Sequence, residues 1–430
     1  HLRMMGKKER ISIDAMRRID VGFGVPLCFF FTVIDRILKL FFPVPQGTTP
    51  PRKVLFIKLS EMGAIILSDP LLRRVQKDYP KAEIFFLTFK SNKDLFGILG
   101  VVPSEHVLTI RDDAVLVAVW DTIKALVAIR RLKADMVIDL EFFSRFTAIV
   151  SYLAGAKNRA GFYRYTMEGL YRGDLLTHRI PYNPHLHISE MFLSIGQLVG
   201  QPAKMTPELA SYVKEGEISL PRFVPAPEES EMMKKRLAVL DIPEDARVLL
   251  INPGEGRIPL REWPLENYMV LARKFLEDEK NYLIIAGASE AQRLEEFHRE
   301  IGNNRCIHLS GKTSLRELLT LLTMTEAVIT NDSGLAHLAA LTSIRQFVFF
   351  GPESPRIFSP LSDKVHVFYS NLPCSPCLSA YNHRNSVCKN NLCLKTINPD
   401  DVWRVIAGKI YAAPGIKEPR ADFLKKFHKY

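Results

Sequence analysis

Three features that would point directly to a function class are missing from this sequence of 430 residues. In its most apolar stretch, the longest charge-free piece runs from Val21 to Ile34, which is shorter than the ~18 residues that a membrane-spanning helix needs. No Asp-x-Asp follows a predicted strand, so a common way of holding a divalent cation against a diphosphate is absent. No recognised nucleic-acid-binding module occurs either. We therefore predict neither a spanning helix, nor a metal-dependent diphosphate site, nor a nucleic-acid partner.

Negative charge is in the minority, because 58 Lys and Arg residues face 47 Asp and Glu residues, for a formal net charge of +11. By itself this balance indicates an anionic partner: nucleic acid, an anionic membrane surface or a phosphorylated substrate. With 47% hydrophobic residues, the chain is globular and long enough for two hydrophobic cores.

The first 50 residues differ from the rest. Residues 6–20 are basic, and large apolar side chains then recur at helical spacing from Pro26 to Phe41, with polar residues on the opposite face. We predict that residues 1–50 form an amphipathic helical extension that lies in the plane of an anionic membrane surface. A helix packed on the protein's own surface is an equally good interpretation. A signal peptide is not expected, because no small-residue cleavage site follows.

Two Pro-rich linkers divide the remaining chain. After each of them, around residue 50 and around residue 225, apolar strands alternate with helical segments. This alternation predicts parallel sheets of the doubly wound type. We expect one Rossmann-like domain over residues 51–220, a second over residues 221–400, and a C-terminal helix with a basic tail over residues 401–430.

A basic and aromatic stretch, Lys157–Arg179, lies in the first of these domains. It carries five Lys and Arg residues against two carboxylates, interleaved with Phe and Tyr. It could hold a phosphorylated or carboxylated acceptor or a nucleic acid, or it could be a solvated surface. Our candidate acceptor-binding residues are Arg159, Arg164 and Arg172, together with Lys58 after the first strand.

The most informative stretch is Ala327–Leu341, in which a β-branched run ends in Asn-Asp-Ser-Gly and residues of helical spacing follow at once. It predicts a strand, a tight turn and a helix N-terminus, where unpaired N–H groups favour an anion such as a diphosphate. His337 lies four residues after Ser333 and so on the same helix face. Alternatively, Asp332 or Ser333 merely caps the helix and His337 packs beneath it.

Other loops rich in Gly, Ser or Asn also follow predicted strands of the second domain. They are Asn252-Pro253-Gly254, Gly287–Glu290 and Ser310–Thr313. We expect them to gather at the carboxyl edge of one sheet, where ligands bind in open α/β folds. Ser314 and Glu317 are placed as a capping box for the next helix.

Three of these segments together resemble glycosyltransferase family 9, whose best-known members are the ADP-heptose:lipopolysaccharide heptosyltransferases. They are the loop Asn331–Gly334 with His337, the segment Arg261–Pro264 and the early segment Lys58–Gly63. The resemblance covers residues from about 52 to about 410, and Asp-Ser-Gly-x-x-His is its most specific part. It implies a GT-B architecture, in which two Rossmann-like domains face a cleft.

In such an architecture the first domain binds mainly the acceptor and the second mainly the nucleotide sugar. The resemblance implies inverting transfer of heptose or a related sugar from a nucleotide diphosphate sugar to a lipid-linked glycan such as lipopolysaccharide core. The absence of Asp-x-Asp favours a metal-independent mechanism without a required cofactor. We expect the protein to be cytoplasmic and peripheral on the inner face of the cytoplasmic membrane.

The resemblance also assigns roles to residues of the second domain. Asp332 matches a family aspartate near the donor sugar, and Arg261 takes the place of a basic residue that neutralises the phosphates. Ser333 and Gly334 would present backbone N–H groups to the diphosphate. A further group is placed only near the donor: Asn252, Gly254, Gly287, Glu290, Gly311, Thr313 and His337.

One position departs from the family pattern. In the well-known heptosyltransferases, an aspartate thought to be the catalytic base follows the glycine that matches Gly63, and Ala64 stands there in this sequence. Glu61 is the nearest carboxylate on the same loop and our candidate base, although it could be an exposed carboxylate without a catalytic task. The missing aspartate also suggests an alternative function, a catalytically inactive protein that binds a nucleotide sugar in the same pathway.

Four of the six cysteines lie in one loop over residues 374–393: Cys374, Cys377, Cys388 and Cys393. Four thiols could bind a structural Zn²⁺, which prefers closed four-ligand sites, although the second pair is separated by an unusual four-residue gap. Free thiols or a labile pair in a reducing cytosol are the alternatives.

Overall fold

The computed structural model describes residues 11–41, 49–163, 170–203, 213, 216–254, 258–287 and 292–411. The chain divides into two compact units, one ending at Ile218 and the other beginning at Ser219. The domain boundaries predicted at residues 50, 220 and 400 stay predictions.

The first unit contains a six-stranded parallel sheet in the order β3-β2-β1-β4-β5-β6. Its strands are β1 Lys53–Ile57, β2 Glu83–Phe89, β3 Val107–Ile110, β4 Met136–Asp139, β5 Asn158–Tyr163 and β6 His178–Pro181. Its helices are α1 Ile13–Gly22, α2 Gly24–Phe41, α3 Met62–Asp78, α4 Lys93–Leu99, α5 Val115–Leu132, α6 Arg145–Leu153 and α7 Ile188–Gly196. The strand order reverses at β1, which is the doubly wound pattern.

The second unit contains another six-stranded parallel sheet, in the order β12-β11-β10-β7-β8-β9. Its strands are β7 Arg247–Asn252, β8 Asn281–Ile285, β9 Cys306–His308, β10 Ala327–Asn331, β11 Arg345–Phe350 and β12 Val365–Tyr369. Its helices are α8 Pro227–Val239, α9 Leu265–Phe275, α10 Gln292–Ile301, α11 Leu315–Thr323, α12 Gly334–Ala339, α13 Pro355–Phe358, α14 Leu392–Lys395 and α15 Pro399–Ile410. Two doubly wound α/β domains, as predicted, are therefore confirmed.

Burial explains why the strands are recognisable in the sequence. Four consecutive side chains of β1, from Val54 to Ile57, are fully buried, because elements cover both faces of a parallel sheet. In the second unit, Trp263 is fully buried and stacks on Phe349 of β11 with ring centroids 4.1 Å apart. The predicted capping box of α11 is present, since Ser314 Oγ accepts from Glu317 N at 3.2 Å and the Glu317 carboxylate accepts from Ser314 N at 2.7 Å.

The predicted helical extension at the N-terminus is formed by α1 and α2, and one face of it packs on the first unit. Asp20 accepts hydrogen bonds from Arg145 N and Phe146 N at the start of α6, at 3.0 and 2.9 Å. Thr32 of α2 is buried and accepts from Asp174 N at 3.0 Å. These contacts fit a helix that lies along the surface of its own domain.

The other face of α1 and α2 is apolar and exposed. Taken together, Ile13–Phe41 is long and apolar enough to cross a membrane by length and composition alone, with a mean hydropathy of 1.8 in a window that is 17% buried. We expected no membrane-spanning helix because the charge-free piece Val21–Ile34 is short. That criterion was too strict, because a long membrane-spanning helix tolerates a few charged side chains. Length and composition therefore do not exclude a membrane-spanning helix. The contacts of Asp20 and Thr32 with the first unit favour instead a helix that lies along the surface of that unit.

Candidate functional site

The carboxyl edge of the second sheet carries the polar loops that the sequence singles out. Strands β7, β8 and β9 are neighbours in this sheet. Strand β7 ends at Asn252, and the loops that follow β8 and β9 contain Gly287 and Gly311. Gly311 N donates to Gly287 O at 2.9 Å, and Gly254 N donates to Asn252 Oδ1 at 3.1 Å. A Cβ on Gly287 would lie 3.0 Å from Asn252 Oδ1, so glycine permits this approach. The structure thus brings Asn252, Gly254, Gly287 and Gly311 together.

Two other predicted donor residues can be placed only in part. Thr313 follows Gly311 by two residues, and its Oγ1 is buried and has no hydrogen-bond partner within the described part of the chain. Glu290 lies outside the described residues.

The turn after β10 is held in place by its asparagine. Asn331 Oδ1 accepts hydrogen bonds from Trp263 N at 3.0 Å and from Tyr268 Oη at 2.9 Å, and Asp332 N donates to Phe349 O at 2.9 Å. Ser333 is the N-cap residue of α12, yet its side chain makes no capping bond, and its Oγ lies 3.1 Å from Thr330 Oγ1. The predicted strand, turn and helix are present, and the alternative of a purely capping side chain is not supported.

The helix that follows this turn is short. Helix α12 has only six residues, so few peptide dipoles add up at its N-terminus, where Gly334 is the first residue. His337 is only 5% exposed and lies inside the fold, as the packing interpretation expected. Charged side chains at this edge can add to the small dipole of this helix in stabilising an anion.

Such charges lie beside the turn, in a cluster of two arginines and two carboxylates. Arg261 Nη2 donates to Glu353 Oε1 at 2.5 Å, and Arg261 Nε lies 3.6 Å from Asp332 Oδ2. Arg384 Nε lies 3.2 Å from the same Glu353 Oε1. We call Arg261, Asp332, Glu353 and Arg384 the charge cluster. The structure therefore brings two predicted residues, Arg261 and Asp332, into contact.

Burial perturbs the acids of the charge cluster. Burial raises the pKa of Glu353 to about 7, although Arg261 lowers it and Asp332 raises it further. Burial also raises the pKa of Asp332, against the opposing effect of Arg261. Burial alone would lower the pKa of Arg261, but Glu353 and Asp332 outweigh it and raise that pKa, so the guanidinium stays charged.

Sequence reasoning missed the other two members of the charge cluster. Glu353 follows β11 at the same sheet edge at which Asp332 follows β10, so its position after Gly351-Pro352 was a usable signal. Arg384 had no such signal, because it does not directly follow a strand and lies in the Cys-rich loop 374–393. Hydrogen bonds from Cys377 N and Leu378 N to Pro352 O, at 2.9 and 2.8 Å, bring that loop to the sheet edge.

The four cysteines of this loop are all described, and they are free thiols. Cys374 is exposed, while Cys393 is 6% exposed. Cys377 Sγ accepts from Ser386 Oγ at 3.4 Å, and Cys388 Sγ donates to Asn390 O at 3.2 Å. Within the described ranges no three His, Cys, Asp or Glu side chains are grouped so that they could hold a metal. This arrangement does not support the predicted structural Zn²⁺.

In the first unit, the candidate base Glu61 ends a tightly held loop after β1. Lys58 is 1% exposed and donates to Glu141 Oε2 at 2.8 Å, while Leu59 N donates to Glu141 Oε1 at 2.8 Å. Glu61 is partly exposed and has a φ of 69°, a left-handed conformation that is costly for a residue with a side chain. Strained residues of this kind are common at functional sites.

Three of the four predicted acceptor-binding residues are buried and paired inside the first unit. Arg159 is 7% exposed and donates to the carbonyls of Leu175 and Ala156, at 2.7 and 2.6 Å. Arg172 is 1% exposed and pairs with the buried Asp139. Lys58 is likewise buried against Glu141, so all three cations have partners inside the first unit, and their contact with an acceptor stays a prediction. Arg164 lies outside the described residues.

Comparisons with known proteins agree with the fold and with the family resemblance. A family model described as glycosyltransferase family 9 (heptosyltransferase) matches residues 123–387. Lipooligosaccharide heptosyltransferase 2 of Haemophilus ducreyi is 26% identical over 324 residues, which cover 73% of this chain and 87% of that protein. Lipooligosaccharide heptosyltransferase 2 of Haemophilus influenzae is 29% identical over 143 residues, which cover 33% of this chain and only 41% of that protein.

A solved structure shares the fold. The ADP-heptose lps heptosyltransferase II of Escherichia coli superposes with a TM-score of 0.61 at 21% identity, covering 84% of this chain and 98% of that one. The predicted GT-B fold class, with two Rossmann-like domains, is thereby confirmed.

Proposed function

Because the chain belongs to glycosyltransferase family 9, we propose that it transfers heptose or a related sugar from a nucleotide diphosphate sugar to a lipid-linked glycan such as lipopolysaccharide core. The observation that supports this best is the charge cluster at the carboxyl edge of the second sheet. It places two guanidinium groups, Arg261 and Arg384, beside the loops that in this fold class receive a nucleotide.

In our proposal the two arginines bind the donor diphosphate. A guanidinium can donate two parallel hydrogen bonds to phosphate oxygens, and its charge does not depend on pH in the working range. Negative charge grows on the diphosphate as the bond to the sugar breaks, and the fixed arginines stabilise it without reorganisation. Two side-chain cations at this edge can take the part that a divalent cation plays elsewhere, which supports a metal-independent mechanism. Asp332 would lie near the donor sugar.

The acceptor hydroxyl must lose a proton as its oxygen attacks the anomeric carbon and the bond to the diphosphate oxygen breaks. Such a single displacement inverts the configuration at the anomeric carbon. Ala64 has no group that can accept the proton and is only 5% exposed. We assign this task to Glu61, and a carboxylate base of this kind contributes about 10²–10⁴-fold in rate.

The reaction would take place on the cytoplasmic face of the inner membrane, with the protein bound to an anionic membrane surface. The exposed apolar face of α1 and α2 supports this location. The basic residues of α2, Arg36 and Lys39, already pair with Asp174 and Asp35, whereas the exposed Arg18 of α1 can pair with anionic headgroups.

The experiment that tests the proposal is nucleoside diphosphate release from a panel of nucleotide sugars, ADP-heptose included, with and without extracted lipid-linked glycan. Release that requires one donor and the acceptor together is the expected result. The anomeric configuration of the product, read by NMR, tests inversion. Activity that survives exhaustive treatment with EDTA tests metal independence.

The alternative is a protein that binds a nucleotide sugar without turning it over, and Ala64 is the observation that favours it. Saturable donor binding without release, with acceptors from several sources, would support this alternative and contradict the transferase. Under the transferase proposal, Glu61→Gln lowers the rate of release by about 10²–10⁴-fold and leaves donor binding intact, whereas unchanged release would remove Glu61 as the base.

A further inference from the structure

Helix α5 in the first unit has an apolar outer face that no described residue of that unit covers. Four large residues form one stripe along it, at a spacing of three or four residues. The stripe comprises Leu116 (83% exposed), Trp120 (56%), Ile123 (49%) and Val127 (47%), and it is flanked by the exposed Val115 and Val119. Six exposed large apolar side chains on one helix exceed what a solvated surface helix carries.

The opposite face of α5 is already buried. Ala125 and Ile129 lie in a hydrophobic cluster with strands of the first sheet, so the outer stripe is not a displaced part of this core. A helix that is apolar on both faces must meet a second apolar environment.

The charges on α5 indicate which environment this is. The only carboxylate of the helix, Asp121, is neutralised by Arg111, which donates to it through two side-chain nitrogens at 2.7 and 2.9 Å. The exposed polar residues on the helix are all cations: Lys124, Arg130 and Arg131. Lys124 Nζ lies 5.2 Å from the ring centroid of Trp120. An apolar stripe with a purely cationic margin is complementary to anionic headgroups over acyl chains.

The position of α5 in the domain supports the same environment. Helices α5 and α6 bury residues in one cluster on the same face of the sheet, and Met16 of α1 packs against that cluster. Helix α2 packs on α6. Helices α2 and α5 therefore lie on the same side of the first sheet, and both carry exposed apolar residues.

We propose that the outer face of α5 inserts into the interface of an anionic membrane, as a second lipid contact beside α2. Its large side chains reach the boundary between headgroups and acyl chains, and Lys124 and Arg131 pair with lipid phosphates, while Arg130 Nε donates to Leu153 O at 2.6 Å. The Trp120 ring suits this depth because one edge is polar and the rest is apolar. This inference rests on the proposed function in that a lipid-linked acceptor requires an enzyme at the membrane surface.

The test measures binding to vesicles with roughly one-third phosphatidylglycerol in phosphatidylcholine. We compare the full chain with the variant Leu116→Glu/Ile123→Glu, in which two residues of the stripe become anionic. The matched control, Met232→Glu/Val239→Glu, places the same charges on exposed apolar residues of α8 in the second unit, which are 69% and 82% exposed. We expect the stripe variant to bind at least tenfold more weakly and the control to bind like the unchanged protein.

Trp120 provides a second readout in the unchanged protein. Its emission should shift to the blue and be quenched by brominated acyl chains when vesicles are added, and Trp120→Phe should remove this response. Trp263 is fully buried and should contribute no such change. Equal vesicle binding of the stripe variant and the control, or an emission of Trp120 that ignores lipid, would overturn the proposal.

A second copy of the chain is the other occupant that could cover this face. Light scattering without lipid distinguishes it: a dimer that Leu116→Glu/Ile123→Glu dissociates would contradict lipid docking. An unchanged melting temperature shows that the variant folds. Transfer to a soluble, deacylated acceptor should be equal in the stripe variant and the unchanged protein. A chain that binds vesicles through α5 but transfers no sugar would keep this inference and refute the proposed function.

Discussion

Replacing Glu353 with glutamine tests whether burial or ion pairing controls the charge cluster. Glu353 is fully buried, between Arg261 at 2.5 Å and Arg384 at 3.2 Å. Two cations at hydrogen-bond distance favour the ionised carboxylate, whereas burial favours the protonated one. Burial prevails, because the pKa of Glu353 is raised from 4.5 to about 7.

The sign of the effect on stability follows from this direction. Between pH 4.5 and about 7, Glu353 is protonated in the folded protein and ionised in the unfolded chain. The folded state then binds the extra proton, so the free energy of unfolding falls as the pH rises through this window. A difference between 4.5 and about 7 corresponds to a loss of about 3 kcal/mol, at 1.36 kcal/mol for each pKa unit. Glutamine resembles the protonated acid and cannot ionise, so Glu353→Gln should lack this loss.

The assay is urea unfolding of both proteins from pH 4.5 to 8, followed by tryptophan emission in a Trp120→Phe background. The remaining tryptophans, Trp263 and Trp403, both belong to the second unit and report its unfolding. The stability of Glu353→Gln relative to the unchanged protein should rise by about 3 kcal/mol across the window. Glu279→Gln, at an exposed glutamate of the same unit, is the control and should show no such trend.

A stability difference that stays flat with pH would refute this reasoning. It would mean that Glu353 remains ionised throughout and that the two arginines outweigh burial. An ionised Glu353 would then offset one positive charge of the cluster at every pH above about 5. The net charge of the cluster would not rise as the pH falls from 8 to 6, so donor binding should not become tighter over that range.

Three further predictions concern single residues. Arg384→Met should weaken ADP binding about 10- to 100-fold in calorimetry, because charged hydrogen bonds contribute about 1.5–3 kcal/mol, and Arg404→Met on exposed α15 should not. Glu61→Gln should lower kcat by about 10²–10⁴-fold without changing the dissociation constant of the donor; a pH-independent kcat in the unchanged protein would count against it. Arg172→Met should lower the free energy of unfolding by about 3–5 kcal/mol, because it leaves Asp139 buried without its guanidinium partner. A rise in the acceptor KM with an unchanged free energy of unfolding would instead identify Arg172 as an acceptor-binding residue.

The fold was predictable because its signal is local. A buried parallel strand such as Lys53–Ile57 needs consecutive apolar side chains, and polar turn residues follow each strand at one edge, so strands and site loops can be read from neighbouring residues. The turn Asn331–Gly334 was found for this reason. Glu353 carried the same signal after β11 and could have been found as well.

The burial of the candidate acceptor-binding residues could not be predicted in this way, because a sequence shows which residues are charged but not which of them are buried. Arg172 is paired with Asp139, which is 33 residues away, and Lys58 with Glu141, which is 83 residues away. Such partners are set by the order of strands in the sheet. Arg384 was hidden for the same reason, since hydrogen bonds to Pro352 O and Gly351 O, distant in the sequence, bring its loop to the sheet edge.

Several hydrogen bonds, one of them from the buried Lys58, hold the loop that carries Glu61. Glu141 accepts from Lys58 Nζ and from the backbone N–H groups of Leu59 and Ser60, at 2.8, 2.8 and 3.3 Å. From the other side, Asn92 Nδ2 donates to Leu59 O at 3.0 Å. A positive φ at a residue such as Glu61 costs about 1–3 kcal/mol and persists only where its surroundings determine it. The bonds to Glu141 and Asn92 are such surroundings, and we infer that Lys58 helps to fix the conformation of Glu61 through Glu141.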